Sequence, residues 1–180
     1  DLGFKPTKRT WGAEVFPGSS LPNAMVQVSP VTKFHSGAGY QYEDSVIYGF
    51  THTNKGHWNL CHIPLLPVTG TPTPGDYCSP FSHERESAAP GYYQVFLDRY
   101  GVDAQLSSTL RCAFHKYTYP AGAAASLLAD LQRSNEHVRA WDIRKEGDNV
   151  FAGWQQTGEK MYFYAVANRP VTGIEPVVEG

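Results

Sequence analysis

Prolines and glycines are spread along this 180-residue chain, thirteen of the former and seventeen of the latter. Proline removes a helical hydrogen bond and glycine weakens helix interiors, so little room remains for long helices. Short apolar segments separated by turn residues are typical of strands. Because no internal repeat and no low-complexity linker divides the chain, we predict that residues 1–180 form one all-β domain, an antiparallel β-sandwich.

Several segments between these turn residues have the composition or the alternation of strands. They are residues 25–28, which end before Pro30; residues 91–97, followed by a turn at 98–101; residues 137–144 and 150–155, the two arms of a predicted hairpin; and residues 161–166, the strongest strand.

Two further segments have less regular patterns. Residues 106–114 alternate, with Leu106, Leu110, Cys112 and Phe114 on one face, which predicts a single half-buried strand. The alanine-rich segment 121–132 has good helix propensity but begins beside proline and glycine, so its own residues leave helix and strand both open.

Composition excludes several classes of protein. Only 18% of the residues are charged and the formal net charge is -2, with no cluster of Lys and Arg, so we expect no nucleic-acid surface. The apolar stretches are too short to span a membrane. Cys61, Cys78 and Cys112 allow at most one internal disulfide, and three free thiols are equally compatible with the pattern.

The stretch from residue 48 to residue 60 carries the strongest functional signal. It places polar side chains and one tryptophan between two apolar segments. A flat apolar ring beside hydrogen-bonding groups suits the face and hydroxyls of a sugar, so we predict a sugar-binding loop. The alternative is a buried tryptophan with a hydrogen-bonded histidine. The candidate substrate-binding residues are Trp58, His57, Asn59, His52 and Asn54.

No self-contained active site is visible. The acidic pairs Glu43-Asp44 and Glu84 with Glu86 are typical of solvated surface charge, so we assign no catalytic residue to this chain. Three histidines occur at positions 52, 57 and 62, a spacing that fits neither a helix nor a strand face. We therefore predict no metal site within the chain.

Several blocks, in order along nearly the whole chain, are similar to one enzyme family. They are Phe16 to Pro30, Gly39-Tyr40 through Ile47 to Thr53, Ser79 to Glu84 with Pro90 to Tyr93, Tyr100 to Pro120, and Tyr162 to Ala165. Together they resemble the N-terminal β-sandwich of bacterial glycoside hydrolase family 92, the calcium-dependent α-mannosidases.

This resemblance implies a parent enzyme larger than the chain. Family members add an (α/α)6 catalytic domain, which holds both catalytic carboxylates and the calcium ligands and inverts the configuration of the mannoside. It implies an exo-acting enzyme for mannose-rich glycans, with α-1,2 linkages preferred, in the bacterial periplasm or secreted. The 180-residue chain alone is then expected to be inactive. A free-standing carbohydrate-binding module is the alternative, and the length of the parent chain separates the two.

The resemblance also adds structural expectations. His83, Glu84 and Arg111 are expected to shape the pocket or to face the catalytic domain. Residues 126–131 are expected to form a strand, and the domain is expected to be truncated at its C-terminal edge. The segment from His52 to Asn59 departs from the glycine loop common in the family, at the place where the resemblance puts sugar contacts.

Overall fold

The structure is a computed structural model that describes residues 16–55 and 58–177. It contains fifteen strands and one short 3-10 helix at His83–Arg85. In chain order the strands are β1 (Ser29–Val31), β2 (Val46–Ile47), β3 (Gly49–Thr51), β4 (Asn54–Lys55), β5 (Trp58–Asn59), β6 (Leu65–Thr69), β7 (Ser79–Pro80), β8 (Glu86–Ala89), β9 (Tyr92–Leu97), β10 (Val102–Ser108), β11 (Ala113–Thr118), β12 (Ala125–Ala129), β13 (Ala140–Gly147), β14 (Val150–Gln156) and β15 (Lys160–Val166).

Two four-stranded antiparallel sheets form the sandwich. Their strand orders are β1-β3-β6-β12 and β11-β10-β9-β8. The main core lies between them and includes Phe50 and Leu66 from the first sheet and Tyr93 and Leu106 from the second. The rings of Phe50 and Tyr117 stack across the gap with centroids 6.3 Å apart. The predicted all-β sandwich is therefore confirmed.

A third sheet covers part of the outer face of the first. Its strands follow the order β13-β14-β15, and it packs over a small second core made of Ile63, Leu65 and Leu131. Strand β6 is consequently buried on both faces, because Leu66 points into the main core while Leu65 points toward the third sheet. The opposite face of the third sheet exposes Tyr162 and Tyr164.

Most of the predicted strands are present. Residues 92–97 alternate between half-buried and buried positions, and a turn follows at 98–101. The predicted hairpin forms, but its first arm is β13 at Ala140–Gly147 instead of 137–144, and its second arm is β14. The strand predicted at 161–166 is present as β15. The strand implied for 126–131 exists as Ala125–Ala129, where pairing with β6 overrides the local helix propensity.

The prediction of one strand over 106–114 is wrong. The chain reverses after Ser108, and the N–H of Thr109 donates to the carbonyl of Cys112 at 2.8 Å. The hydroxyl of Thr109 also accepts from the N–H of Cys112 at 3.1 Å, a side-chain turn that needs neither glycine nor proline. Leu110 and Phe114 are consequently exposed, rather than sharing the buried face of Leu106.

The first predicted strand lies further along the chain than expected. Residues 25–27 are not strand, and Val28 makes an isolated bridge with Ser19. The strand itself is Ser29–Val31 and contains Pro30. Proline is tolerated there because β1 is an edge strand of its sheet, where one side needs no hydrogen-bond donor.

All three cysteines are free thiols. Cys61 is buried, Cys78 is half-buried and Cys112 is exposed. Burial raises the pKa of the Cys61 thiol to about 12, so this residue behaves as a small core side chain.

Candidate functional site

The candidate sugar-binding loop is a short hairpin formed by β4 and β5. Lys55 pairs with Trp58, and Asn54 pairs with Asn59. The tip, which includes His57, lies outside the described residues. The side chain of Trp58 is about half exposed, at 51%. The alternative expectation of a buried tryptophan is therefore wrong, and part of the indole ring lies at the surface.

Asn59 occupies the opposite face of this hairpin and is buried. Its Oδ1 accepts a hydrogen bond from the N–H of Cys61 at 2.8 Å, and its Nδ2 donates to Oγ1 of Thr51 at 3.1 Å. Its amide is thus occupied within the fold, and Asn59 holds the chain after the hairpin instead of presenting a polar surface to a ligand.

The segment that Asn59 holds has an unusual backbone. Cys61 has a φ of 55° and Ile63 a φ of 54°, in the left-handed region that β-branched residues in particular avoid. The N–H of Ile63 donates to Oε1 of Gln155 at 2.8 Å. Two buried amide side chains, Asn59 and Gln155, therefore fix both left-handed residues, one on each side of His62.

His62 is only 2% exposed and connects the base of the hairpin to a carboxylate. Its Nδ1 lies 2.8 Å from Oγ1 of Thr53, and its Nε2 lies 3.1 Å from Oε2 of Glu136. Oγ1 of Thr157 donates to the same carboxylate oxygen at 2.6 Å. No sequence signal indicates Glu136 or Thr157, because neither lies near the hairpin in sequence and neither belongs to a motif.

His52 points between the two main sheets. Its Nδ1 lies 2.9 Å from the carbonyl of Ile63, and its Nε2 lies 3.0 Å from Nε2 of His115. His115 Nδ1 lies 2.7 Å from the hydroxyl of Tyr117. Because a carbonyl can only accept, His52 carries its proton on Nδ1, His115 donates to His52, and Tyr117 donates to His115. Burial lowers the pKa of His52 to about 4, so this chain of donors is neutral.

Asn54 is the one candidate in the hairpin whose amide lacks a partner. Its Oδ1 and Nδ2 are both buried, and neither has a hydrogen-bond partner within the described part of the chain. Buried amides are usually satisfied, so this side chain stands out among the polar groups of the hairpin.

His83 belongs to a second polar cluster. Its Nδ1 lies 2.5 Å from Oε2 of the buried Glu86, and its Nε2 lies 2.8 Å from the carbonyl of Tyr42. The His83 and Tyr42 rings stack with centroids 4.1 Å apart. Tyr93 donates to the other oxygen of Glu86 at 2.6 Å. Glu86 was expected from the sequence to be surface charge, but its side chain is buried at the centre of this cluster.

The other two residues expected at a pocket or domain interface are exposed. The side chain of Glu84 projects from the 3-10 helix, while its N–H donates to Oγ of Ser82, which caps that helix. Arg111 lies in the turn between β10 and β11, not on a strand as predicted. The two do not form an ion pair with each other.

A segment of the chain links the hairpin to the His83 cluster. The N–H of Asn59 donates to the carbonyl of Gly37 at 2.8 Å, and Tyr42, five residues later, carries the ring that stacks on His83. The hydroxyl of Tyr40 donates to Glu86 at 3.1 Å. Across residues 16–55 and 58–177, no three His, Cys, Asp or Glu side chains converge to hold a metal ion.

Comparison with known proteins identifies the family. Residues 6–179 match the model of the glycosyl hydrolase family 92 N-terminal domain. The structure of the family GH92 α-mannosidase BT3965 from Bacteroides thetaiotaomicron is 26% identical, with a TM-score of 0.82 over 89% of this chain. A second structure of BT3965, in complex with mannoimidazole, has a TM-score of 0.81 and 27% identity over 89% of this chain and 24% of that one. No curated protein sequence matches the chain.

A more distant structure shows the same fold. The inverting mannosidase BT2199 from Bacteroides thetaiotaomicron is 22% identical, with a TM-score of 0.73 over 89% of this chain and 23% of that one. This chain also covers 24% of BT3965, so it spans about a quarter of the length of these solved relatives. On the match over nearly all of its length, the chain belongs to glycosyl hydrolase family 92, as the N-terminal domain.

Proposed function

We propose that this chain is the N-terminal domain of an exo-acting α-mannosidase that hydrolyses mannose-rich glycans, with α-1,2 linkages preferred. The observation that carries the proposal is the family match over residues 6–179. The solved relative BT3965, an α-mannosidase, supports it. The mannoimidazole complex of BT3965 supports a mannoside as the substrate of this protein too.

In this proposal the catalytic residues lie outside this domain. Inverting glycosidases separate their general acid and general base by roughly 6.5 to 9.5 Å to admit a water molecule. We assign both carboxylates, and the ligands of a calcium ion, to a catalytic domain outside this chain. Among the described residues, no three carboxylates, thiols or imidazoles converge.

The role of this domain is to pack on the catalytic domain and to contribute the Trp58 hairpin to the sugar-binding site. The exposed part of the tryptophan ring supports that role, because aromatic rings stack on the apolar faces of sugars. His57 is a further proposed contact, and Asn54 brings an unsatisfied amide to the same hairpin. His83, Glu84 and Arg111 are proposed to shape the pocket or the domain interface, and the exposed tyrosines of the third sheet also offer apolar surface for packing.

We also propose that the protein works in the bacterial periplasm or outside the cell, where mannose-rich glycans are accessible. Within the described residues, no helix has the length and apolar character needed to cross a membrane. Fusion of the natural N-terminus to a reporter that is active only after export would test the location.

The experiment that tests the main proposal compares the natural full-length protein with the 180-residue chain. Both are assayed on a panel of α-mannobiosides, with and without a calcium chelator. We expect hydrolysis by the full-length protein only, lost on chelation. Absence of hydrolysis from both proteins, with mannoside binding by the chain, would favour a free-standing carbohydrate-binding module.

Substitution Trp58→Ala tests the hairpin itself. Loss of one stacking contact is expected to raise KM for an α-mannobioside about tenfold, which corresponds to about 1.4 kcal/mol. Trp141→Ala is the matched control, because Trp141 is also exposed but lies on β13 of the third sheet. Equal effects of the two substitutions would remove Trp58 from the sugar-binding site.

A further inference from the structure

Glu136 is a surface carboxylate supported from inside the protein. Its side chain is 44% exposed, yet Oε2 is held by the hydroxyl of Thr157 at 2.6 Å and by Nε2 of the buried His62 at 3.1 Å. Oε1 has no hydrogen-bond partner in the part of the chain that the structure describes. One oxygen is therefore fixed while the other faces outward.

The direction of these hydrogen bonds is determined by chemistry. A carboxylate only accepts, so His62 carries its proton on Nε2, and its Nδ1 accepts from the hydroxyl of Thr53. Burial lowers the pKa of His62, which keeps the ring neutral. The hydrogen bond from Thr157, with smaller contributions from His62 and Lys55, lowers the pKa of Glu136. Glu136 is thus an ionised acceptor at neutral pH.

Hydrogen bonds place this carboxylate beside the Trp58 hairpin. The carbonyl of Leu60 accepts from Oγ of Ser134 at 2.8 Å and from the N–H of Asn135 at 3.1 Å. Nδ2 of Asn135 donates to the carbonyl of Asn59 at 2.7 Å. The residue before Glu136 is consequently fixed to the residue after Trp58, at the base of the hairpin.

The backbone beneath Glu136 is strained, and strain of this kind concentrates at functional sites. The left-handed residues Cys61 and Ile63 flank His62, and their amides are held by Asn59 and Gln155. The effect of this arrangement is to bring the Nε2–H of His62 to the inner oxygen of Glu136.

We propose that Glu136 is a second sugar-binding residue, whose Oε1 accepts hydrogen bonds from hydroxyls of the sugar ring that stacks on Trp58. Hydrogen bonds from hydroxyls to a carboxylate are short and about twice as strong as neutral ones, and they discriminate between sugars by hydroxyl position. This inference rests on the proposed function, because it assumes a mannoside at the hairpin. In this site Trp58 contacts the apolar face of the sugar ring, and Glu136 binds its hydroxyl groups.

The test uses the full-length protein and three variants, Glu136→Gln, Trp58→Ala and Glu175→Gln. Glutamine preserves the shape of Glu136 and can still accept from His62 and Thr157, so the loop is retained. Glu175 is an exposed acid in the C-terminal tail and controls for the loss of one charge. Dissociation constants are measured for methyl α-mannopyranoside and its monodeoxy analogues, with thermal unfolding as a check of the fold.

We expect Glu136→Gln to weaken binding of methyl α-mannopyranoside about tenfold, with Glu175→Gln unchanged. In the unmodified protein, one monodeoxy analogue is expected to bind about tenfold more weakly than methyl α-mannopyranoside. In Glu136→Gln that difference between the two sugars should largely disappear, because the missing hydroxyl and the missing charge belong to one interaction. A structural role alone would weaken every analogue by the same factor.

Two results would overturn the inference in different ways. If Trp58→Ala weakens binding but Glu136→Gln matches the unmodified protein, the proposed hairpin site remains and Glu136 is not part of it. If neither substitution alters binding or hydrolysis of mannosides, the sugar lies elsewhere and both the inference and the proposed role of the hairpin fail.

Discussion

Adjacent residues of the hairpin have opposite roles, as the geometry of a strand requires. Trp58 is about half exposed and Asn59 is 1% exposed, because successive side chains on a strand point to opposite faces. Composition alone indicated both as sugar contacts. The pairing of Lys55 with Trp58 distinguishes the two residues, because it places Asn59 on the inner face of the hairpin. A sugar contact by Trp58 stays a prediction, whereas the amide of Asn59 is used within the fold.

At the residue scale, the pair of His52 and His115 makes stability depend on pH. Burial lowers the pKa of His52 to about 4 and that of His115 well below its usual value. The two rings face each other; His52 also contacts the carbonyl of Ile63, and His115 also contacts the hydroxyl of Tyr117 and the ring of Phe50. Below pH 6.5 these two histidines are protonated in the unfolded chain but stay neutral in the folded chain. The free energy of unfolding therefore falls as the pH drops from 6.5 to about 4. The expected slope is about 1.4 kcal/mol per pH unit for each histidine.

Urea unfolding at several pH values between 7 and 4 measures this slope. His115→Phe retains an aromatic ring beside Phe50 and removes one titrating group, so the free energy of unfolding is expected to change less steeply with pH. At pH 7 the variant is expected to lose about 1 kcal/mol of that free energy, because hydrogen bonds are missing. His137→Gln, at an exposed position, should retain the original slope. A slope in His115→Phe equal to that of the unmodified chain would show that the pair does not control acid sensitivity.

At the element scale, the fit of residues 37–42 against the hairpin depends on one glycine. Gly39 has a φ of +71°, and a Cβ added to it would lie 2.7 Å from Nδ2 of Asn59. Gly91, between β8 and β9, has a φ of +77°, but a Cβ there would meet no described atom within 4 Å. The two glycines share the backbone conformation and differ in the space around them.

Alanine at each position separates these two effects. Gly91→Ala is expected to lower the free energy of unfolding by about 1 kcal/mol, from left-handed strain alone. Gly39→Ala should lower it by about 2 to 3 kcal/mol, because overpacking against Asn59 is added. Chemical denaturation compares the variants directly. Similar losses would mean that Asn59 moves aside without penalty.

Elements with regular alternation were predictable, and contacts between distant segments were not. Strand β9 alternates along its length, and its pattern alone predicted it correctly. The turn at 109–112 was missed because its signal is the hydroxyl of Thr109, which is weaker than glycine or proline. The contact of His62 with Glu136 spans 74 residues of sequence, so no local pattern can indicate it.

At the scale of the whole molecule, the third sheet is connected to the candidate site through one side chain. Gln155 on β14 is fully buried. Its Oε1 accepts from the N–H of Ile63, and its Nε2 donates to the carbonyls of Leu131 and Arg133 at 3.0 and 2.9 Å. One amide therefore joins the third sheet to the strained segment before β6 and to the loop that leads to Glu136.

Gln155→Leu removes these three hydrogen bonds while retaining a side chain of similar size. The expected loss of stability is about 2 to 4 kcal/mol, because buried backbone groups of three residues lose their partners. Gln156→Leu is the matched control, since the next residue points to the opposite, partly exposed face and should change stability by less than about 0.5 kcal/mol. Because Ile63 holds His62 under Glu136, we also expect Gln155→Leu to weaken mannoside binding at temperatures where the variant remains folded. Equal stability of the two variants would mean that apolar packing of the second core, and not this amide, attaches the third sheet.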